Sequence, residues 1–157
     1  MRKQGGGGLL GEDPPLGPLP ADRPRYLMGV GYPEDILHAV ACGVDLFDCV
    51  LPARNARHGV LFTREGVLKI RNARYRDDPR PPDPGCACPL CSRLSRAFLH
   101  HLEKAGELTA KVLATLHNER FYLDFMAEVR QAIVLGSLTD LAARFATRCS
   151  PQEEPRA

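Results

Sequence analysis

A short apolar run, a segment of helical spacing and a second apolar run follow one another early in the chain. Arg25–Val30 is predicted to be a buried strand. Pro33 suits the first turn of a helix, and the apolar stripe that follows it stops at Gly43. Val44–Leu51 is predicted to be a second strand. Strand, helix and strand in this order form a βαβ unit, which implies parallel strands and a right-handed crossover.

The later pattern changes from a hairpin to helices. Residues 59–71 hold two apolar runs on either side of a glycine-containing turn, which predicts a β-hairpin. Ser92 is expected to cap a helix that ends at Gly106, and a longer helix is expected over about Leu108–Leu135. Ser137 is expected to cap a final short helix. The chain is therefore predicted to be α/β first and mostly α afterwards.

The two ends of the chain differ in composition from the part between them. Residues 1–24 contain six Gly and five Pro, so residues 1–20 are expected to form a flexible leader. Residues 150–157 are polar and are expected to fray. The whole chain is 44% hydrophobic, which is ordinary for a globular protein, so residues 21–149 are expected to form the folded part.

Charge and hydropathy exclude some classes of protein. The formal charge of the 157-residue chain is only +2, so the whole-chain charge does not point to nucleic acid. No apolar run approaches the ~18 residues that a membrane helix needs. The amino-terminal stretch also lacks the apolar segment of a secretory signal. We therefore expect a soluble, cytoplasmic protein with no membrane partner.

Three cysteines are clustered in the sequence C-A-C-P-L-C, at Cys86, Cys88 and Cys91. A disulfide across C-x-C has poor geometry, and in the cytosol such a cluster is more often a metal site than a disulfide framework. A closed structural zinc site needs four nitrogen or sulfur ligands. The candidates for the fourth ligand are His100, His101 and His117. The alternatives are buried free thiols and a solvated or core histidine.

A carboxylate interrupts the second apolar run. Asp48 lies near the carboxyl end of the predicted strand, between Phe47 and Cys49, where burying an ionised group costs free energy. In parallel βα architectures, active sites lie at the carboxyl ends of the strands, so Asp48 is a candidate catalytic residue. The alternative is a carboxylate that accepts hydrogen bonds from loop amides, which is the role we expect for Asp45.

A basic segment follows the candidate carboxylate. Residues 53–76 contain seven Lys and Arg side chains against the single acid Glu65, a local charge of +6. Such a segment is a candidate footprint for nucleic-acid phosphates. The alternative is a solvated basic face that Asp77 and Asp78 partly neutralise. Tyr75 is the only aromatic residue near the basic end, so stacking on bases is weakly supported.

Six segments together resemble the carboxyl-terminal part of the bacterial tRNA-guanine transglycosylases, the queuine tRNA-ribosyltransferase family. The segments are R-Y-L-M-G-V-G, D-L-F-D-C-V-L-P-x-R-N-A-R, K-I-R-N-A-R-Y, D-P-x-C-x-C-x-x-C, S-R-A-F-L-H-H-L and L-H-N. The resemblance runs from about Ala21 to Phe145. It implies part of a (β/α)8 TIM barrel with a zinc-binding subdomain at about residues 80–120 and helices after it.

The resemblance also implies an activity. Members of this family exchange the wobble guanine of certain tRNAs for a 7-deazaguanine base in queuosine biosynthesis. A covalent ribosyl-aspartate intermediate splits the exchange into two displacements. The expected partners are tRNA with guanine at the wobble position, the aminomethyl precursor of queuine as the incoming base, and a second copy of the chain.

Site residues follow from the motif matches. Asp48 corresponds to the nucleophile and Met28 to the residue that packs against the base. The segments that match tRNA contacts are Gly29, Val30, Gly31, Tyr32, Pro33, Glu34 and Asp35, followed by Ala53, Arg54, Asn55, Ala56 and Arg57. The residues that match the ligands of one structural Zn²⁺ are Cys86, Cys88, Cys91 and His117.

The sequence also departs from the family. Ala53 stands where the family often has Thr, and His58 where a smaller residue is usual. The family's first half carries another essential Asp, proposed as general acid/base, and most of the base-recognition pocket. Neither is found in this sequence. The alternative function is therefore a non-catalytic, zinc-stabilised module that binds tRNA or mediates dimerisation.

Overall fold

The structure is a computed structural model that describes Leu19, Pro20 and residues 22–149. Most of the predicted leader, and the predicted frayed tail at 150–157, lie outside the described residues. The chain divides into two compact units. The central unit is Val50–Glu128, and the terminal unit contains the residues before and after it.

The terminal unit begins with the predicted βαβ arrangement. Strand β1 (Tyr26–Met28), helix α1 (Pro33–Ala41) and strand β2 (Leu46–Asp48) follow in order. The two strands pair in parallel, with Met28 opposite Asp48. Pro33 occupies the start of α1, where its missing N–H costs no hydrogen bond. The prediction of parallel strands on either side of a helix is confirmed.

Two details of the predicted strands are wrong. The second strand ends at Asp48, and helix α2 (Leu51–Arg57) begins where Val44–Leu51 had been predicted to continue as a strand. Pro52 explains this difference, because proline is favoured in the first turn of a helix. Strand β1 is also exposed, not buried, and its sheet has only two strands in the described part of the chain.

Helix α6 completes the terminal unit. It spans Leu138–Cys149, directly after Ser137 as predicted, and packs against α1. Apolar side chains of both helices are buried, including Leu37 on α1 and Leu141 on α6. Gly43 adopts a left-handed conformation with φ of 92°, which suits its predicted place just after α1.

The central unit contains the predicted hairpin. Strands β3 (Val60–Thr63) and β4 (Gly66–Lys69) pair antiparallel, with Leu61 opposite Leu68. Both of these leucines are buried. A short 3₁₀ helix follows at Ala73–Tyr75.

Three further helices follow the hairpin, and one predicted boundary is wrong. They are α3 (Pro89–Arg93), α4 (Arg96–Ala105) and α5 (Leu108–Leu135). Ser92 lies inside α3, and Ser95 is the residue whose hydroxyl accepts the N–H of Phe98 at the start of α4. Leu94 is extended between the two helices, which separates them. Gly106 ends α4 and α5 has its predicted bounds, so these two predictions are confirmed.

The core of the central unit includes two of the clustered cysteines. Its largest fully buried apolar side chains are Leu61, Ile70, Leu90 and Leu99. Cys88 and Cys91 belong to the same buried cluster. Cys88, Leu90 and Cys91 of the C-A-C-P-L-C segment are thus packed into the core, whereas Ala87 and Pro89 are exposed.

Asp78 forms a buried ionic contact with two arginines. Its carboxylate accepts Nε of Arg80 at 2.9 Å and lies 3.4 Å from Nη1 of the buried Arg96. Arg96 also donates to the carbonyl oxygens of Pro81 and Pro82, which anchors the segment before the cysteine loop. Asp78 is therefore committed to Arg80 and Arg96 and is not a neutralising partner for the basic segment.

We expect acid to destabilise the protein in part through Asp78. Hydrogen bonds from Arg80, aided by the charge of Arg96, hold the pKa of Asp78 well below its ordinary value of 3.8. A carboxyl with a lowered folded-state pKa stabilises the fold above its ordinary pKa, and this stabilisation is lost as pH falls further. The unfolding free energy of wild type should therefore drop more between pH 5 and about pH 3 than that of Asp78→Asn. Denaturant unfolding at the two pH values measures both.

Asp77→Asn is the matched control for this acid titration. Asp77 is exposed and adjacent in sequence, so its replacement should leave the wild-type acid sensitivity in place. Equal loss of stability on acidification in wild type and Asp78→Asn would show that Asp78 is not a major source of the pH dependence.

Candidate catalytic carboxylate and metal centre

Asp48 is the last residue of β2, and its side chain is exposed. Its carboxylate accepts a hydrogen bond from the Tyr26 hydroxyl at 2.5 Å and faces the Gly29 N–H at 3.3 Å. Its predicted place at the carboxyl end of a parallel strand is confirmed, and its exposure removes the free-energy cost of burying a carboxylate. An exposed carboxylate held by two donors can meet a ligand without first breaking a buried ion pair.

Tyr26 is a site residue that the sequence argument missed. Alternation along β1 puts Tyr26 and Met28 on the same face, and Met28 is opposite Asp48. The hydrogen bond to Asp48 and the nearby negative charge raise the pKa of Tyr26, so its hydroxyl stays protonated and donates. The sequence signal that could have identified Tyr26 is its position two residues before Met28, which places both side chains on one face of a strand.

Asp45 has the structural role that was expected of it. Its carboxylate accepts the backbone N–H of Arg25 at 2.8 Å. This contact ties the start of β1 to the loop before β2. Asp45 and Asp48, three residues apart, thus differ in their partners. Asp45 accepts a backbone N–H, whereas Asp48 accepts the Tyr26 hydroxyl and faces the N–H of Gly29.

The first predicted tRNA-contacting segment, Gly29–Asp35, forms the loop after β1 and the first turn of α1. Gly29 has a φ of 72°, which permits the sharp turn that directs its N–H toward Asp48. Tyr32 is exposed, whereas Gly31 and Pro33 are buried. The exposed Met28 precedes this loop, with 74% of its surface accessible.

The second predicted segment, Ala53–Arg57, lies on α2. Ala56 is fully buried, which fixes one side of this short helix against the central unit. Arg54 and Arg57 are three residues apart and both exposed, so they project from the other side.

All basic side chains of the 53–76 segment are exposed. They are Arg54, Arg57, Arg64, Lys69, Arg71, Arg74 and Arg76. Arg71 is paired with Glu103, with Nη2 and a carboxylate oxygen 2.5 Å apart, and Arg74 lies over the ring of Tyr75. The segment therefore presents positive charge at the surface, as the sequence predicted.

The four predicted metal ligands converge in the central unit. The thiol sulfurs of Cys86, Cys88 and Cys91 and a ring nitrogen of His117 all lie within 4.8 Å of one another. Nδ1 of His117 is 3.5 Å from the Cys88 sulfur and 3.3 Å from the Cys91 sulfur. A tetrahedral zinc ion places neighbouring sulfur and nitrogen ligands about 3.6 Å apart. The cluster can therefore hold one metal ion, and its donor set fits zinc.

The other two histidines do not join this cluster. Nδ1 of His100 is 2.7 Å from the carbonyl oxygen of Ile70, so its ring is occupied in the core. His101, the next residue on α4, is exposed. The sequence spacing left three histidines as candidates for the fourth metal ligand, and the structure brings His117 next to the cysteines.

The chain is similar in sequence to proteins of one known family. A sequence model of the queuine tRNA-ribosyltransferase family matches residues 16–151. The chain belongs to this family. Queuine tRNA-ribosyltransferase of Aromatoleum aromaticum is 58% identical over 127 residues, which are 81% of this chain and 34% of the relative. The resemblance of the six sequence segments to the family is confirmed.

Two further relatives with the same name show similar coverage. The protein of Nitrosomonas europaea is 56% identical over 81% of this chain and 34% of its own length. The protein of Acidithiobacillus ferrooxidans is 57% identical over 83% of this chain and 35% of its own length. The chain spans about a third of the length of the curated relatives it matches. Among the described residues, no helix combines the length and the apolar character needed to cross a membrane.

In this member of the queuine tRNA-ribosyltransferase family, burial sets the electrostatics of the metal cluster. Cys88, Cys91 and His117 are buried and Cys86 is half-buried. Burial raises the pKa of the Cys86 and Cys91 thiols and lowers the pKa of His117. Burial alone thus favours neutral groups, and a divalent cation is the kind of ligand that stabilises thiolates here. Four protein donors complete a tetrahedron, which is typical of a structural site.

Backbone contacts hold the cysteine loop of this family member in shape. The buried Asp83 accepts the N–H of Gly85 at 3.0 Å and the N–H of Arg64 at 3.1 Å. The N–H of Cys86 donates to the carbonyl oxygen of Asp83, and the Cys88 sulfur faces the N–H of Cys91 at 3.5 Å. These contacts bring the three thiols together across a Pro- and Gly-rich sequence.

Proposed function

We propose that this chain carries the nucleophile and the structural zinc centre of a tRNA-guanine transglycosylase. The reaction exchanges the wobble guanine of tRNA for a 7-deazaguanine base, with the aminomethyl precursor of queuine as the incoming base. The observation that carries the proposal is the exposed carboxylate of Asp48, held by Tyr26 and Gly29 opposite Met28.

The proposed chemistry is a double displacement at the ribose. Asp48 attacks the anomeric carbon of the wobble nucleotide, the bond from this carbon to guanine breaks, and a ribosyl ester forms. The incoming base then bonds to the anomeric carbon through a ring nitrogen and displaces Asp48, which restores the carboxylate. The proton that this nitrogen loses balances the proton that the departing guanine takes up. The guanine has to leave its stack to reach the carboxylate, and the exposed thioether of Met28 offers an apolar surface for it. The hydroxyl of Tyr26 orients the carboxylate.

Two segments are proposed to contact tRNA, one in each compact unit. The loop Gly29–Asp35 adjoins Asp48 and is expected to contact the nucleotides around the wobble position. Exposed Arg54 and Arg57 on α2, with the rest of the basic segment, are expected to bind phosphates. The charge of this segment supports a salt-dependent contribution to affinity.

The proposed architecture follows the family resemblance. Strands β1 and β2 with α1 are proposed to be one βαβ part of a (β/α)8 barrel. Their parallel pairing supports this, and so do their exposed side chains, because the packed interior and the outer helices of a barrel cover the two faces of its strands. Zn²⁺ held by Cys86, Cys88, Cys91 and His117 is proposed to organise a subdomain at about residues 80–120. A homodimer in the cytoplasm is the proposed assembly.

The second candidate function is a non-catalytic module that binds tRNA or mediates dimerisation. The observations that favour it are the exposed basic side chains of residues 53–76 and the four-donor cluster that can hold a metal ion. This alternative keeps the zinc centre and the basic surface but needs no nucleophile.

A covalent trap separates the two functions. The zinc-loaded chain is incubated with an anticodon stem-loop that has guanine at the wobble position, with and without the deazaguanine base. We expect an RNA–protein adduct that resists denaturation and is depleted by the incoming base. The matched control RNA has adenine at the wobble position and should give no adduct. Retarded mobility without any adduct would instead support the binding module.

A further inference from the structure

Asn118 follows His117 on α5 and is fully buried, but it is not one of the four metal-ligand candidates. Its side-chain amide makes three hydrogen bonds to backbone. Nδ2 donates to the carbonyl oxygens of Pro52 at 2.9 Å and Val60 at 3.0 Å. Oδ1 accepts the N–H of Phe62 at 3.0 Å. A buried amide with this many partners specifies position and is costly to replace.

His117 and Asn118 together hold both backbone polar groups of the same strand residue, Phe62. Nε2 of His117 lies 2.8 Å from the carbonyl oxygen of Phe62, while Asn118 holds the N–H of Phe62. A carbonyl oxygen only accepts, so Nε2 carries the ring proton and donates it. Nδ1 then has a free lone pair directed at the sulfurs of Cys88 and Cys91.

We propose that Asn118 is a positioning residue for the metal centre, acting through Phe62. By fixing the N–H of Phe62, Asn118 sets the place of the Phe62 carbonyl, which in turn sets the tautomer and ring orientation of His117. Groups that orient a ligating histidine contribute to metal affinity as well as to folding. This inference rests on the zinc centre of the proposed function and assigns a role to a residue outside its four ligands.

The test compares zinc affinity among three folded proteins. Wild type, Asn118→Ala and Ile70→Ala are titrated with Zn²⁺ against a chromogenic chelator, under conditions where circular dichroism shows each to be folded. Ile70 is a buried residue of the same unit whose truncation also lowers stability, but none of its hydrogen bonds joins Phe62 or His117. We expect about 10- to 100-fold weaker binding in Asn118→Ala and a much smaller change in Ile70→Ala.

Bound Co²⁺ supplies a spectroscopic readout of ligand geometry. The visible absorption of the Co²⁺ form should change in Asn118→Ala and remain that of wild type in Ile70→Ala. Equal weakening in both variants, or an unchanged spectrum and affinity in Asn118→Ala, overturns the positioning role. A wild type that binds no Zn²⁺ overturns both this inference and the zinc centre, whereas the covalent trap tests the reaction separately.

A measurement on wild type covers the case in which Asn118→Ala does not fold. Coupling between two sites is reciprocal, so zinc should tighten the Asn118–Phe62 hydrogen bond if this bond favours zinc. Zinc loading should therefore slow amide exchange of Phe62 about tenfold more than that of Ile70, whose N–H donates to Gly59 at 2.8 Å. Equal slowing of both amides would indicate general stabilisation only and would overturn the proposal.

Discussion

Asp48→Asn is expected to lower the rate of covalent adduct formation by about a thousandfold or more. The amide is nearly the same size as the carboxylate, but it is a very poor nucleophile toward an anomeric carbon. The change removes no buried contact, because Asp48 is exposed. Single-turnover assays with labelled stem-loop RNA measure the rate, and gel retardation measures whether RNA still binds.

Asp45→Asn is the matched control, because Asp45 is an exposed aspartate in the same segment with a different partner. Its carboxylate accepts the N–H of Arg25, and the amide oxygen of asparagine can still accept this bond, so Asp45→Asn should leave the adduct in place. Both variants should change stability by no more than about 0.5 kcal/mol, and only Asp48→Asn should lose the adduct. Tyr26→Phe should fall between wild type and Asp48→Asn in rate, since the carboxylate loses its phenol donor. An adduct that persists in Asp48→Asn would refute the assignment of the nucleophile.

Removing the metal is expected to destabilise the central unit by about 5 kcal/mol or more, given the binding free energies of structural zinc. The physical reason is that Cys88 and Cys91 lie in the same buried cluster as Leu90 and Leu99. Without a cation, Nδ1 of the buried His117 and the sulfurs of Cys88 and Cys91 face one another with no positive charge between them to stabilise thiolates. Thermal unfolding followed by circular dichroism, before and after chelation, should show a large fall in Tm that added Zn²⁺ reverses.

Two serine substitutions make this metal prediction specific. Cys91→Ser should reduce zinc content and lower Tm toward that of the chelated protein. Cys42→Ser should retain one Zn²⁺ per chain, because Cys42 lies in the terminal unit and is not in the cluster. An unfolding curve that chelation leaves unchanged would show that the fold does not depend on a metal.

Local patterns predicted the elements whose signals lie close together in the sequence. The helix that starts at Pro33, the hairpin in residues 59–71 and the bounds of α5 all follow from spacing, proline and glycine. The start of α2 was predicted wrongly because apolar residues such as Val50 and Leu51 are compatible with a strand as well as with a helix. Pro52 at the second position of the helix was the deciding residue.

Residue type and spacing predicted only those site residues that lie close together in the sequence. The three cysteines indicated a metal site. The fourth ligand, however, depends on which of the three histidines the fold brings next to the cysteines. Cys91 and His117, which contact each other, are 26 positions apart in the sequence, and no local pattern encodes such a contact. The same holds for Asn118, whose partners Pro52 and Phe62 are 66 and 56 residues away.

The contacts of Asp48 have the opposite character. The two donors described for it, Tyr26 and Gly29, come from the single stretch that runs from β1 to β2, at most 22 residues away in sequence. A gene rearrangement with both breakpoints outside this stretch would carry the carboxylate together with the groups that orient it. The carboxylate and its two donors can therefore be inherited, duplicated or lost together as one short segment.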